Sequence, residues 1–113
     1  MLKSKKLYLY FFYSSDGEKL MVYPQITMTI PLDNRPAAAE IYQKYKLPFL
    51  NTVDGAVSKE LLIREKDVQV LHGFETLSNA ESYLQSELFN NDVVCELKPL
   101  FAADPDIRIY QSV

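Results

Sequence analysis

The sequence is poor in the residues that most often carry metal and covalent chemistry, with one cysteine and one histidine. Because Cys95 has no partner within the chain, an internal disulfide framework is excluded and a reducing compartment is expected. As a metal ligand His72 has no second histidine or cysteine to act with it. The aspartate and glutamate residues do not have the sequence spacing that is typical of metal ligands. The chain also has no glycine-rich phosphate loop, G-x-S-x-G elbow or CxxC pair, so we expect neither metal nor cofactor.

Basic residues and long hydrophobic runs are scarce as well. The net charge is −3, and the only basic cluster (Lys3, Lys5 and Lys6) is too small for a phosphate-binding surface, so no nucleic-acid partner is expected. The apolar run at residues 7–13 is far shorter than the roughly 20 residues that span a bilayer. This run is aromatic, and no small-residue cleavage site follows it. We therefore interpret the protein as cytoplasmic, with no membrane partner.

What is present is an ordinary globular composition, with 48% hydrophobic and 24% charged residues among 113. This length predicts a single core. Residues 1–23 are predicted to be either an N-terminal extension or an extra hairpin that turns at Asp16-Gly17, and both alternatives stay open. Residues 24–113 form the main domain.

The main domain begins with a strand and a helix. Ile26 and Met28 alternate with polar residues, which predicts a strand with one apolar face that ends at Pro31. A helix follows, for which Asp33-Asn34 offers an N-cap. Pro48 is expected to interrupt that helix, because proline cannot donate the backbone hydrogen bond of a helix interior, and Phe49, Leu50 and Val53 allow one more turn before Asp54-Gly55 closes it.

The second half predicts two strands, a helix and a final strand. The strands at residues 57–63 and 68–75 are joined by a charged hairpin. Ser78 and Glu81 have the spacing of a capping box at the start of the next helix. An asparagine pair at residues 90–91 is expected to break or kink this helix, and Cys95 beyond it is interpreted as a core thiol. The last strand is predicted at residues 107–110.

The order of these elements, β-α-β-β-α-β, predicts an α+β fold of the ferredoxin-like type, an antiparallel sheet with helices on one face. The apolar set of strand residues should lie under the helices; its members are Ile26, Met28, Ile30, Val68, Val70, Phe74, Ile107 and Ile109. The opposite set is mixed; its members are Thr27, Thr29, Gln69, Leu71, Gly73, Arg108 and Tyr110. That open face either meets water or is covered by a second copy. We favour a homodimer through the open sheet face, because monomers seldom expose a contiguous apolar patch.

Several short motifs resemble the antibiotic-biosynthesis-monooxygenase-like family. They are Val53-Asp54-Gly55-Ala56-Val57-Ser58, Phe74-Glu75-x-Leu77, Ala80-Glu81-x-Tyr83-Leu84-x-Ser86, Leu97-x-Pro99-Leu100 and Ile107-Arg108-Ile109-Tyr110. The resemblance covers roughly residues 24–112 and implies a dimeric α/β barrel. Some members of that family oxygenate quinol-type or polycyclic aromatic substrates without metal or flavin, relatives degrade haem, and others have no known activity. Leu77 stands where the family frequently has a tryptophan, and Tyr83 where it has a histidine.

The candidate functional residues follow from this resemblance and from the strand faces. His72 is the candidate catalytic base, although it falls on the helix-facing side of its strand and could equally be a buried neutral histidine. Tyr83 either orients a substrate or fills the core. Substrate contacts are predicted at Arg108, Tyr110, Leu71 and Leu77; an ion pair or dimer contact is the alternative for the first two.

Two functions are therefore carried forward. The first, implied by the resemblance, is a cofactor-independent monooxygenase acting on a small aromatic, quinol-type substrate whose phenolate supplies electrons to oxygen. The second is a non-catalytic dimeric module that binds a small apolar or aromatic ligand or serves a structural role.

Overall fold

A four-stranded antiparallel sheet forms the base of the molecule in the computed structural model, which describes residues 20–113. The strands are β1 (Val22–Met28), β2 (Ala56–Ile63), β3 (Val68–Phe74) and β4 (Asp106–Gln111), in the spatial order β2-β3-β1-β4. Every neighbouring pair is antiparallel. Of the predicted N-terminal extension or hairpin at residues 1–23, residues 1–19 lie outside the described residues, and β1 begins within the remainder, at Val22.

The helical segments all connect strands over one face of this sheet. A short 3₁₀ turn (Leu32–Asn34) leads into α1 (Arg35–Thr52) between β1 and β2. Between β3 and β4 lie α2 (Leu77–Leu84), α3 (Glu87–Phe89), a π-helix (Asn90–Leu97) and a second 3₁₀ turn (Lys98–Leu100). The predicted α+β, ferredoxin-like β-α-β-β-α-β order is confirmed.

The core lies between the sheet and the helices. In β1 burial alternates strictly with the pleat, and Val22, Ile26 and Met28 face the helices. Phe49 of α1, which is fully buried, and Tyr83 of α2 pack onto this surface from above. The predicted sorting of apolar strand residues toward the helices is confirmed for β1 and β3, whereas Ile107 at the sheet edge stays 42% exposed.

Two helix boundaries differ from the prediction. Pro48 lies inside α1, which continues to Thr52 because the buried ring of Phe49 fixes the last turn in the core. The cap of α2 is Thr76, whose hydroxyl accepts a hydrogen bond from the backbone N–H of Asn79 at 3.1 Å, so the predicted Ser78–Glu81 capping box is wrong. Asn34 stands before α1 without a side-chain cap and instead donates to the carbonyl of Leu100.

The asparagine pair at residues 90–91 does not end the second helical region. The chain continues there as a π-helix, whose wider turn changes the direction in which the following side chains point. Asp92 and Val93 consequently face the core, while Cys95 is exposed, which corrects its interpretation as a core thiol.

Candidate functional site

His72 and Tyr83 meet in the interior, between the sheet and the helices. His72 belongs to β3, whose pleat turns its ring toward the helices, and it is 1% exposed. The hydroxyl of Tyr83 lies 3.4 Å from Nε2 of His72, where a neutral imidazole can accept its proton in a hydrogen bond. The ring of Phe49 contacts both, with centroids 5.0 Å and 4.9 Å away. The two candidate catalytic side chains are therefore brought together.

The second ring nitrogen of His72, Nδ1, has no hydrogen-bond partner among the described residues. It makes no hydrogen bond of normal geometry within residues 20–113, although the imidazole lies near the main chain of Pro24. Burial lowers the pKa of His72 to about 3, and the ammonium of Lys59 acts in the same direction. His72 is therefore neutral at pH 7. A base this weak is poorly matched to a phenol, whose pKa is about 10.

Tyr83 is held as a neutral hydrogen-bond donor. Burial, with the charge of Asp92 as a second cause, raises the pKa of Tyr83 above its ordinary value. The ring also packs against Phe74 and Phe89, with centroids 5.6 Å and 5.4 Å apart. The rigid aromatic surroundings fix the direction of its hydroxyl group.

A buried ion pair lies beside these residues. Lys59 of β2 is the cross-strand neighbour of His72, and its Nζ donates to Oδ2 of Asp92 at 3.0 Å. The two side chains are only 1% and 4% exposed, and Oδ1 of Asp92 has no hydrogen-bond partner among the described residues. We call Lys59, His72, Tyr83 and Asp92 the buried polar cluster.

Opposing electrostatic effects act on this ion pair. Burial lowers the pKa of Lys59, and the carboxylate of Asp92 opposes that shift. Burial likewise raises the pKa of Asp92, against the attraction of Lys59. The ammonium also lies 5.5 Å from the ring centroid of Phe49 and 5.7 Å from that of Tyr42, which partly compensates for its lost hydration.

Sequence reasoning missed the ion pair, although one half of it left a signal. Lys59 occupies the side of β2 that also carries Leu61 and Ile63, and a lysine on an apolar strand face requires a buried partner. Asp92 left no comparable signal, because its inward direction depends on the π-helix.

A surface groove lies beside Tyr83, between the end of α1 and α2. Its volume is about 320 Å³, and its lining residues are Thr52, Val53, Asp54, Asn79, Ser82, Tyr83, Ser86 and Leu88. Gly55 adjoins the groove with φ of +77°, and a Cβ there would lie 2.1 Å from Nδ2 of Asn79. Glycine thus allows the chain to pass against Asn79 and leaves this amide at the groove.

The other predicted substrate-binding residues do not join the buried polar cluster. Arg108 and Tyr110 lie on the open face of β4, and Leu71 lies on the same face of β3. The guanidinium of Arg108 pairs with Asp106 at 3.0 Å and is 64% exposed. Leu77 begins α2 and packs against the core. The sheet itself separates the two groups of candidate residues.

Neither a metal centre nor a membrane span is found in the part of the chain that the structure describes. Within residues 20–113, no three His, Cys, Asp or Glu side chains are placed to hold a metal ion. Among the helices of the same range, none has the length and apolar character needed to cross a bilayer.

Comparisons with known proteins show similarity in fold without similarity in sequence. No family model matches the sequence, and no curated protein matches it. A solved structure from Bordetella bronchiseptica, named "putative antibiotic biosynthesis monooxygenase", superposes with a TM-score of 0.72 at 15% identity, over 84% of this chain and 99% of that one. A conserved protein from Methanosarcina mazei has a TM-score of 0.71 at 9% identity, over 94% of this chain and 99% of the other.

A third structure, from Caulobacter crescentus and with the same printed name as the first, gives a TM-score of 0.71 at 13% identity, over 83% of this chain and 91% of that one. At these identities the comparisons establish the fold alone. The chain has the ferredoxin-like α+β fold of the antibiotic-biosynthesis-monooxygenase-like proteins.

Proposed function

We propose that this protein is a homodimer that binds a small hydroxylated aromatic molecule in the groove beside Tyr83. The observation that carries the proposal is the position of the groove. It is large enough for a small ligand, and Tyr83 connects it to the buried polar cluster. Its amide and hydroxyl groups suit the oxygens of a quinol-type molecule, while Val53 and Leu88 offer apolar contacts.

Blocking the groove tests this proposal. Ser82 lines the groove, so Ser82→Trp should fill it, whereas Ser78→Trp changes an exposed serine of the same helix that does not line it. With 2-naphthol as the fluorescent probe, we expect saturable binding to the wild type and at least about tenfold weaker binding to Ser82→Trp. Ser78→Trp should bind as the wild type does. Equal binding by all three proteins, or no saturable binding, would contradict the proposal.

Cofactor-independent oxygenation is the second candidate, favoured by the contact between Tyr83 and His72 and by the names of two structural neighbours. In this reaction a quinol-type substrate SH₂ reacts with O₂ to give SO and H₂O, so the substrate supplies the electrons. Tyr83 would donate a hydrogen bond to the substrate oxygen. For this role the neutral His72 would carry its proton on Nε2 and donate it to the Tyr83 oxygen, which leaves the Tyr83 proton free to be donated to the substrate oxygen. The low pKa of His72 makes binding the better-supported function.

Oxygen uptake separates the two candidates. Anaerobically prepared protein is mixed with 1,4-dihydroxynaphthalene, and oxygen consumption is compared with that of the quinol alone. An oxygenase consumes oxygen faster than the quinol alone and loses at least about tenfold in rate as Tyr83→Phe. Uptake at the protein-free rate eliminates turnover of this quinol and leaves the binding function.

The open sheet face supports the homodimer. Leu62 and Tyr110 are 44% and 49% exposed there, and Leu71 lies between them in the sheet. A second copy would remove this mixed surface from water and bring Arg108, Tyr110 and Leu71 into an enclosed space between two sheets. In this arrangement the predicted contacts of these residues are with the partner copy, or with a ligand trapped between the copies.

A further inference from the structure

We propose that the groove beside Tyr83 selects its ligand by charge, and that Asp54 is the residue that makes the selection. The ligand class is a hydroxylated aromatic amine whose ammonium group lies at the Asp54 carboxylate, whereas aromatic molecules that carry a carboxylate are disfavoured. This inference rests on the proposed binding function and adds the charge of the ligand to it.

Asp54 supplies the only charged side chain among the groove-lining residues of the described range 20–113. It belongs to the turn between α1 and β2, is exposed, and forms no ion pair with any residue of that range. An ionised carboxylate can only accept hydrogen bonds. A ligand must therefore bring a donor to this part of the groove, and an ammonium group brings both donors and the opposite charge.

The other polar side chains of the groove are neutral. Thr52 and Ser86 already donate their hydroxyl protons to main-chain carbonyls, each at 2.6 Å. The side chains of Asn79 and Ser82 have no hydrogen-bond partner in the part of the chain that the structure describes. Both can bind a ligand hydroxyl, and neither carries a positive charge that would attract a carboxylate.

No basic side chain of the neighbouring sequence offsets the charge of Asp54. Residues 47–58 and 67–97, which include every groove-lining residue, contain no lysine or arginine, whereas α2 and its flanks carry Glu75, Glu81 and Glu87. Lys59 is the basic residue nearest to Asp54 along the chain, but it is buried and paired with Asp92. The potential in the groove is therefore negative.

The end of α1 acts in the same direction. This helix of 18 residues ends at Thr52, in the wall of the groove, and has no basic residue in its last turn. The carbonyl groups at a helix C-terminus carry a partial negative charge that favours cations. The groove consequently attracts an ammonium group and repels a carboxylate. It also disfavours a phenolate, so the ligand hydroxyl stays protonated and can donate a hydrogen bond.

Three naphthols that share one ring system and differ in charge test the selection. They are 2-naphthol, which is neutral, 6-aminomethyl-2-naphthol, which is cationic at pH 7, and 6-hydroxy-2-naphthoate, which is anionic. In fluorescence titrations of the full chain at low salt, the cation should bind at least about tenfold more tightly than the anion. Salt at about 0.5 M should reduce this ratio, because it screens exposed charges.

Asp54→Asn removes the charge and keeps the shape of the side chain. The ratio of the cation's affinity to the anion's should fall at least about threefold in this variant. Glu40→Gln removes an exposed charge of α1 that does not line the groove, and should keep the ratio of the wild type. Because the readout is a ratio of affinities measured on one protein sample, loss of folded protein cannot imitate the expected change.

The outcomes distinguish this inference from the binding function on which it rests. If 2-naphthol binds in the groove but the anion binds as tightly as the cation, selection by charge is wrong and the groove stands as the binding site. A ratio that is unchanged in Asp54→Asn would overturn the role of Asp54. Failure of all three naphthols to bind saturably to the wild type would contradict both proposals.

Discussion

At the scale of single residues, His72 gives the clearest prediction. Burial in the folded protein disfavours protonation of its imidazole, whereas the same imidazole in the unfolded chain is protonated at mildly acidic pH. Its pKa is about 3 in the fold against 6.5 ordinarily. Between those values the unfolded chain holds one more proton, so the free energy of unfolding falls as the pH falls from about 6.5 toward 3. The contribution is at most about 1.4 kcal/mol per pH unit.

His72→Phe should therefore flatten the pH dependence of stability on the acid side. Urea unfolding between pH 7 and pH 4 is expected to show a shallower slope than in the wild type, by up to about 1.4 kcal/mol per pH unit. Tyr83→Phe is the matched control, since it removes the hydroxyl that contacts His72 and keeps the imidazole. Equal slopes for His72→Phe and the wild type would show that the pKa of His72 is the same in the folded and unfolded states, which would contradict its depression by burial.

The ion pair between Lys59 and Asp92 should respond strongly to loss of one partner. Lys59→Met or Asp92→Asn leaves the other charged group buried, and each should cost about 3–5 kcal/mol in urea unfolding. The double variant Lys59→Met/Asp92→Leu should be more stable than either single variant. Lys44→Met breaks the exposed pair with Glu96 and should cost at most about 1 kcal/mol. Equal, small losses at the buried and exposed pairs would contradict the buried ion pair.

At the scale of helices, the cap of α2 offers a direct comparison of two neighbouring positions. Thr76 accepts from the N–H of Asn79, whereas Ser78 lies inside the first turn and is exposed. Thr76→Ala is expected to lower the free energy of unfolding by about 1 kcal/mol. Ser78→Ala should change it by less than about 0.5 kcal/mol in the same urea titration. A larger loss at Ser78 would restore the capping box between Ser78 and Glu81.

Element order was predictable from the sequence, because period-two and helical patterns each reflect one buried face. The alternation of Ile26 and Met28 with polar residues predicted β1 in this way. Exact helix bounds depend on tertiary contacts instead. Local rules interrupt α1 at Pro48 before a further turn, whereas in the fold the helix runs through Pro48 without a break to Thr52, with Phe49 buried in the core. The π-helix is a similar case, since nothing local in the asparagine pair indicates a widened turn.

The candidate site was only partly predictable for the same reason. Strand alternation placed His72 under the helices, and the family resemblance singled out Tyr83, which the fold brings to it. The groove and the position of Asp92 arise where α1, α2 and the π-helix meet, which no single pattern encodes. Strand alternation also predicted Arg108 and Tyr110 on the same polar face of β4. The sheet itself separates that face from His72.

At the scale of the whole molecule, the helices cover one side of the sheet and leave the other side open, where the proposed homodimer would place a second copy. The groove opens on the helix side, so dimerisation through the open face would leave it accessible to a ligand. Ligand binding and self-association are consequently separable. Ser82→Trp should therefore dimerise as the wild type does, because Ser82 lines the groove on the helix side.

The most direct test of this account is the mass of the full chain in solution. Light scattering at micromolar concentration should give twice the chain mass of 13.0 kDa, because the open face is expected to be covered by its own copy. A mass of 13.0 kDa under these conditions would contradict the homodimer.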